Sequence, residues 1–279
     1  MRWTPGQQSE DIEDRRNEGG GGGGRGGGMK VGLGGLLVLG VLSLIFQRDL
    51  ISPFLGGGGD PATQGAPDPA RDATEQKSSQ FVSVALDDMQ ATWDKILGQK
   101  YHHAKLVLFR DAVESACGTA EAATGPFYCP GDEKVYIDLA FYDELKRRFG
   151  APGDFAQAYV IAHEIGHHVQ KILNIEGQVR RMQQQRPELQ NQLSVKMELQ
   201  ADCFAGIWGK STKERNILEQ GDVEEAIGAA AAVGDDHIQK MSGRRVSPES
   251  FTHGSSQQRM QWYQKGFEGG RVEACDTFN

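Results

Sequence analysis

The chain lacks most of the short patterns that announce a chemistry. Its 279 residues include only four cysteines, and no two of them form a C-x-x-C pair, which excludes a cysteine-built zinc site or a redox dithiol. No G-x-S-x-G elbow marks a serine hydrolase, and no G-x-x-x-x-G-K-[ST] loop cradles a phosphate. Cations are the scarcer charge: 30 Lys and Arg against 38 Asp and Glu leave a net charge of -8. With no basic stripe either, the chain lacks the face a general nucleic-acid binder needs to displace counterions, and no nucleic-acid partner is expected. Internal repeats are absent too. Wholesale disorder is excluded by a composition that is 38% hydrophobic and 24% charged, which is ordinary for a globular chain.

What is abundant is glycine, 37 residues in all, with a dense run between Gly19 and Gly28. Residues 1–30 offer little apolar surface to offset chain entropy and are expected to be a flexible cytoplasmic segment. From Val31 to Gln47 no charge occurs, and as a helix this stretch would reach about 26 Å at roughly 1.5 Å per residue. It is apolar all round and lacks a small-x-small cleavage site, so it reads as an uncleaved transmembrane signal anchor (31–47) rather than a core helix or a removed signal peptide. Arg2, Arg15, Arg16, Arg25 and Lys30 precede it, whereas Arg48 and Arg71 follow it within a comparable length, which places the N-terminus in the cytoplasm and the remainder in the periplasm. Residues 48–79, with their prolines and a run of four glycines, read as a flexible linker. One folded domain, 80–279, is left.

In that domain the pattern predicts helices near Val82–Leu97, Phe141–Phe149, Asp154–Leu173, Val179–Gln185, Glu188–Lys210, Val223–Ala232 and Ser255–Phe267. Strands are expected at Ala104–Phe109 and Lys134–Asp138. The fold class is α+β, mostly helical with a small sheet. In an oxidising compartment Cys117 would close a short loop with Cys129, and Cys203 would pair with Cys275; in a cytoplasmic domain the same four would be buried thiols.

The chemistry concentrates at His163, Glu164 and His167, an H-E-x-x-H on the long helix. Four residues is just over one turn, so both imidazoles share a face and can hold one metal ion, with Glu164 about 100° round beside the open position. The metal acidifies a coordinated water and the carboxylate takes its proton as a carbonyl is attacked. Gln170 and Leu173 stand where the metzincin extension needs Gly and His, so the third ligand comes from elsewhere. Glu198 and Asp202 form E-x-x-x-D on an otherwise apolar helix, which offers one carboxylate to the metal and one to the N–H of a ligand histidine; on its own the pattern also describes a solvated helix face. Glu164 to His167 is also an E-x-x-H, but no second one exists for a di-iron site. His168 points elsewhere and is expected either to support a ligand from behind or to pack.

Five blocks, CGTAEAATGPFYCP (117–130), KVYIDLAFYDEL (134–145), AHEIGHHVQ (162–170), ELQADCFAG (198–206) and FTHGSSQQR (251–259), together with the glycine-rich chain and anchor, resemble the bacterial "putative neutral zinc metallopeptidase" (YpfJ-like) family over nearly the whole chain. The resemblance implies one Zn2+ held by His163, His167 and Glu198, with Glu164 as general base and Asp202 orienting a histidine. Similarity to gluzincins implies a zincin-like domain in which a sheet edge aligns the substrate backbone, here Val135–Asp138. The block around His253 is similar to the Ser/Thr-His-Pro segment of HtpX-like membrane proteases, which makes His253, or Arg259, a candidate for oxyanion stabilisation; a helix-capping or core-satisfied His253 is the alternative, because Gly254 stands in the proline position. The expected function is hydrolysis of a peptide or protein substrate by an enzyme anchored in the bacterial inner membrane. The alternatives are a non-catalytic metal-containing binding or scaffold protein and a zinc amidase acting on a non-protein amide.

Overall fold

The computed structural model describes residues 1–18 and 69–278. The expected anchor, 31–47, lies outside the described residues. Among them, no helix is long and apolar enough to cross a membrane.

Among the described residues six strands occur in chain order: β1 (Ile12–Asp14), β2 (Lys105–Phe109), β3 (Ala112–Ser115), β4 (Gly118–Glu121), β5 (Phe127–Cys129) and β6 (Lys134–Asp138). The main sheet has the order β1-β2-β6-β5, parallel except for β5, and β3 pairs with β4 as a separate hairpin. The helices are α1 (Pro69–Leu97), α2 (Ala140–Arg147), α3 (Asp154–Ile172), α4 (Ile175–Gln185), α5 (Gln190–Glu214), α6 (Asp222–Ala232), α7 (Asp235–Met241) and α8 (Ser256–Gly269). This is the mixed, mostly helical α+β class expected.

Strand β2 is apolar without clean alternation because both of its faces are covered. Leu106 and Leu108, with Val135 and Ile137 of β6, face the main helical core. On the opposite face Val107, Phe109 and Tyr136 join Val113, Cys129 and the partly buried Phe127 in a smaller cluster under the hairpin. The disulfide Cys117–Cys129 staples that hairpin to β5, and Cys203–Cys275 staples α5 to the C-terminal segment. Both expected pairings are present.

Three expectations change. The strand Lys134–Asp138 is not a sheet edge: β6 is paired on both sides, and among the described residues the edges are β1 and β5. Helix α1 begins at Pro69, inside the expected linker. Its buried stripe runs Glu75, Ser79, Val82, Leu86, Met89, Trp93, alternating steps of four and three residues as a helix face requires. The first two positions are polar, so hydrophobicity did not reveal them. Burial of Glu75 is compensated by Arg110, whose Nε and Nη2 donate at 2.9 and 2.7 Å.

The third correction concerns residues 1–18, which are packed against the domain. Met1 is buried, Trp3 stands edge-on to Phe81 at 5.4 Å, and β1 pairs with β2, Ile12 opposite Leu106. Ordering costs about 1–2 kcal/mol per residue, more than these few apolar groups return. The remainder comes from backbone and charge: Ser9 N–H donates to Ser83 Oγ at 2.6 Å, Lys134 Nζ donates to Glu13 at 2.7 Å, and the Met1 ammonium lies 2.7 Å from Asp154 and 3.1 Å from Asp222. A segment without a core of its own has borrowed the domain's.

Candidate metal centre

Helix α3 is buried on almost every side, as its nearly continuous apolar sequence requires. It approaches α5 closely at Gly166, where a Cβ would lie 2.9 Å from the Ala201 carbonyl oxygen. Gly166 sits between the two histidines and Ala201 between Glu198 and Asp202, so the missing side chain is what brings the two motifs within reach of each other.

The imidazoles of His163 and His167 are 4.8 Å apart, centroid to centroid, and nearly perpendicular. Both present Nε2 to one carboxylate: His163 is 3.1 Å from Glu198 Oε2 and His167 is 3.5 Å from Glu198 Oε1. Their Nδ1 atoms face the other way, His163 to Asp202 Oδ1 and His167 to Gln170 Oε1, each at 2.8 Å. A ring that donates Nδ1–H outward keeps the Nε2 lone pair for a cation. The three ligand atoms lie within 4.8 Å of one another. Two imidazole nitrogens and a carboxylate with fixed tautomers form the donor set of a catalytic zinc site, so the residues fit that ion.

Among the described residues two other groups reach ligating distance, and members of each are engaged elsewhere. Asp154, Asp222 and Glu225 surround the Met1 ammonium, which pairs with the first two. In the cluster His102, Glu133 and His168, both ring nitrogens of His168 are engaged, Nδ1 with the Tyr128 hydroxyl at 3.0 Å and Nε2 with the His102 carbonyl at 2.8 Å. His168 is fully buried.

Electrostatics separate the carboxylates. Burial opposes ionisation of Glu198, but the charge of His167, the His163 hydrogen bond and the charge of His253 hold its carboxyl well below the usual range. Glu164 is pushed up, chiefly by burial, against the opposing charges of His163 and His167, which suits a group that must accept a proton near neutral pH. Burial disfavours a charged His163, yet Asp202, against the opposing Arg259, raises it to about 10.

His253 is brought to the site by a loop built on one carboxylate. Asp235 Oδ2 accepts the backbone N–H of Thr252, His253 and Gly254 at 2.8, 2.7 and 2.9 Å, and Asp235 Oδ1 lies 3.2 Å from His253 Nδ1. Gly254 has φ +93° and approaches Val195 and Leu199, the α5 residues flanking Glu198. Proline could supply neither the positive φ nor the N–H, so this loop requires glycine there. The His253 side chain is half-exposed, and its charge acts on Glu198. The cap of α8 is Ser255, in a capping box with Gln258.

Sequence reasoning missed Tyr159, Gln170 and the location of Arg259. Tyr159 Oη donates to Asp202 Oδ1 at 2.5 Å. Gln170, one turn after His167, was used only to reject a longer motif. Arg259 is buried, donates to both oxygens of Asp202, and its Nη2 lies 3.2 Å from His163 Nδ1.

Comparison with known proteins agrees with this centre. A family model described as "Putative neutral zinc metallopeptidase" matches residues 1–278. The chain is 46% identical over 286 aligned positions to "Uncharacterized protein YpfJ" of Escherichia coli K12, covering 100% of this chain and 99% of the relative. It is 39% identical over 204 positions to "Uncharacterized protein Rv2575" of Mycobacterium tuberculosis H37Rv, covering 69% and 68%. No solved structure matches. With its H-E-x-x-H and E-x-x-x-D helices joined at one centre, the chain belongs to the putative neutral zinc metallopeptidase family.

Proposed function

We propose that the protein is a zinc-dependent peptidase with a gluzincin-like centre: His163, His167 and Glu198 hold one Zn2+, and Glu164 is the general base. The observation that carries this reading is the division of nitrogens, with both Nε2 atoms on Glu198 and both Nδ1 atoms on outer acceptors. Zinc, when bound, supplies Lewis acidity, polarising a scissile carbonyl and acidifying water. Glu164, with its pKa raised by burial, takes the proton of the attacking water and returns it to the leaving amine. His253, held by Asp235, donates a hydrogen bond to the oxygen that gains charge. Among the described residues strand β5 pairs with β6 alone, and its open edge accepts the substrate backbone as an added strand.

The two disulfides support an oxidising, extracytoplasmic location for the domain, and β1 takes residues 1–18 there with it. The substrate is a peptide or protein in that compartment. The test is Glu164→Gln, which keeps volume and removes basicity. Zinc content should be unchanged, with peptide cleavage slowed about 10²–10⁴-fold. Undiminished cleavage by the variant would remove Glu164 from the mechanism.

A further inference from the structure

Glu198 and Asp202 stand one turn apart on one face of α5, and both touch His163, at Nε2 and Nδ1 respectively. A dication would attract either carboxylate. Their partners differ: among the described residues Glu198 is ion-paired only with the two histidines, whereas Asp202 is fully buried and receives Arg259 Nε on Oδ2 and Nη2 on Oδ1, each at 2.9 Å. Arg259 also donates Nη1 to the Val233 carbonyl at 3.2 Å, and its Nη2 lies 3.2 Å from Tyr159 Oη. Its fork is therefore fixed from three directions.

The guanidinium reaches this position because α8 lies unusually close to α5. A Cβ on Gly266 would meet the Cys203 carbonyl oxygen at 1.9 Å, and one on Gly206 would meet the Tyr263 carbonyl oxygen at 2.1 Å. Arg259 follows one turn after the Ser255 cap. The FTHGSSQQR block thus supplies both His253, held by Asp235, and Arg259, which contacts Asp202 and the His163 ring.

We propose that Arg259 is a positioning residue that assigns the roles of the two α5 carboxylates: it clamps Asp202 outside the ligand shell, where Asp202 fixes the His163 ring, and leaves Glu198 for the metal. The clamp depends on a planar, two-pronged donor, which lysine does not provide. This inference rests on the zinc reading above. Zn2+ affinity of the full chain, measured by competition with a chelator, tests it on wild type, R259K, R259Q, D202N and D202N/R259Q. Loss of an outer partner weakens metal binding about 10–100-fold. R259K and R259Q should both fall in that range, and D202N/R259Q should be no weaker than the poorer single variant, since both residues act through the same ring. Ring ¹⁵N and ¹H NMR of the zinc-loaded chain should show the His163 Nδ1–H hydrogen bond to Asp202 weakened in R259K. Wild-type affinity with an unweakened His163–Asp202 bond in R259K, or losses that multiply in the double variant, would overturn the assignment and leave Arg259 a packing residue. R259K and the charge-balanced double variant keep the test decisive should R259Q fold poorly. If wild type and His163→Ala bind Zn2+ equally, it is the zinc reading that fails.

Discussion

The two ligand histidines are one helical turn apart and of one chemical type, yet different material stands behind each. His163 leans on ions, Asp202 and Arg259, closed by the Tyr159 hydroxyl. His167 leans on amides: Gln170 donates Nε2 to the Met197 carbonyl at 2.7 Å and to Gln200 Oε1 at 3.1 Å, and Gln200 donates to the Cys275 carbonyl at 2.9 Å. One side is charged and fastened to α8, while the other is neutral and fastened to the disulfide-linked C-terminal segment. Orientation of a metal ligand can therefore be built from either chemistry, but the consequences of breaking it differ.

The largest effect is expected on the charged side. Asp202→Ala leaves Arg259 buried without its carboxylate, and breaking a buried pair in this way typically costs about 3–5 kcal/mol. Urea unfolding of the metal-free protein should show that loss. On the neutral side, Gln170→Leu removes hydrogen bonds without stranding a charge, so the expected loss is about 1–3 kcal/mol. Equal destabilisation by the two variants would erase the distinction. For zinc itself, Glu198→Ala removes a ligand and should weaken binding more than either of these, whose effect is about 10–100-fold.

The comparison extends to pH. In the metal-free protein His163 is raised from 6.5 to about 10. Its contribution to stability is therefore complete below pH 6.5 and is lost as pH rises through about 10. Asp202 is lowered, burial opposing and Arg259 and His163 prevailing, so its contribution is present above the usual aspartate range and is lost in acid. Zinc must displace the His163 proton, so the rise in melting temperature produced by Zn2+ should grow with pH from 6 to 9, the affinity gaining about tenfold per unit for one released proton. A thermal shift independent of pH would contradict a protonated His163.

How much of this could be read from the chain follows from how local each signal is. His163, Glu164 and His167 were legible because one helical turn defines them, and Glu198 with Asp202 because their polar pair interrupts an apolar helix. Both disulfides were legible from cysteine number and spacing. The pieces that only tertiary structure brings together were not. Arg259 is in direct contact with His163, although nearly a hundred residues separate them in sequence. Strand β5 has three residues and no periodicity to detect, so the edge was assigned to the longer β6. Residues 1–18 were judged on their own composition, and their order comes from surfaces supplied by α1 and β2. The short helix α7 showed no apolar pattern, yet its Asp235 builds the loop that presents His253.

The most direct test of the central claim is X-ray absorption at the zinc edge of the zinc-loaded full chain. The account predicts two imidazole nitrogens at about 2.0–2.1 Å with oxygen completing the shell, and loss of one imidazole in His167→Ala. A shell containing sulfur at about 2.3 Å, or one unchanged by His167→Ala, would contradict it.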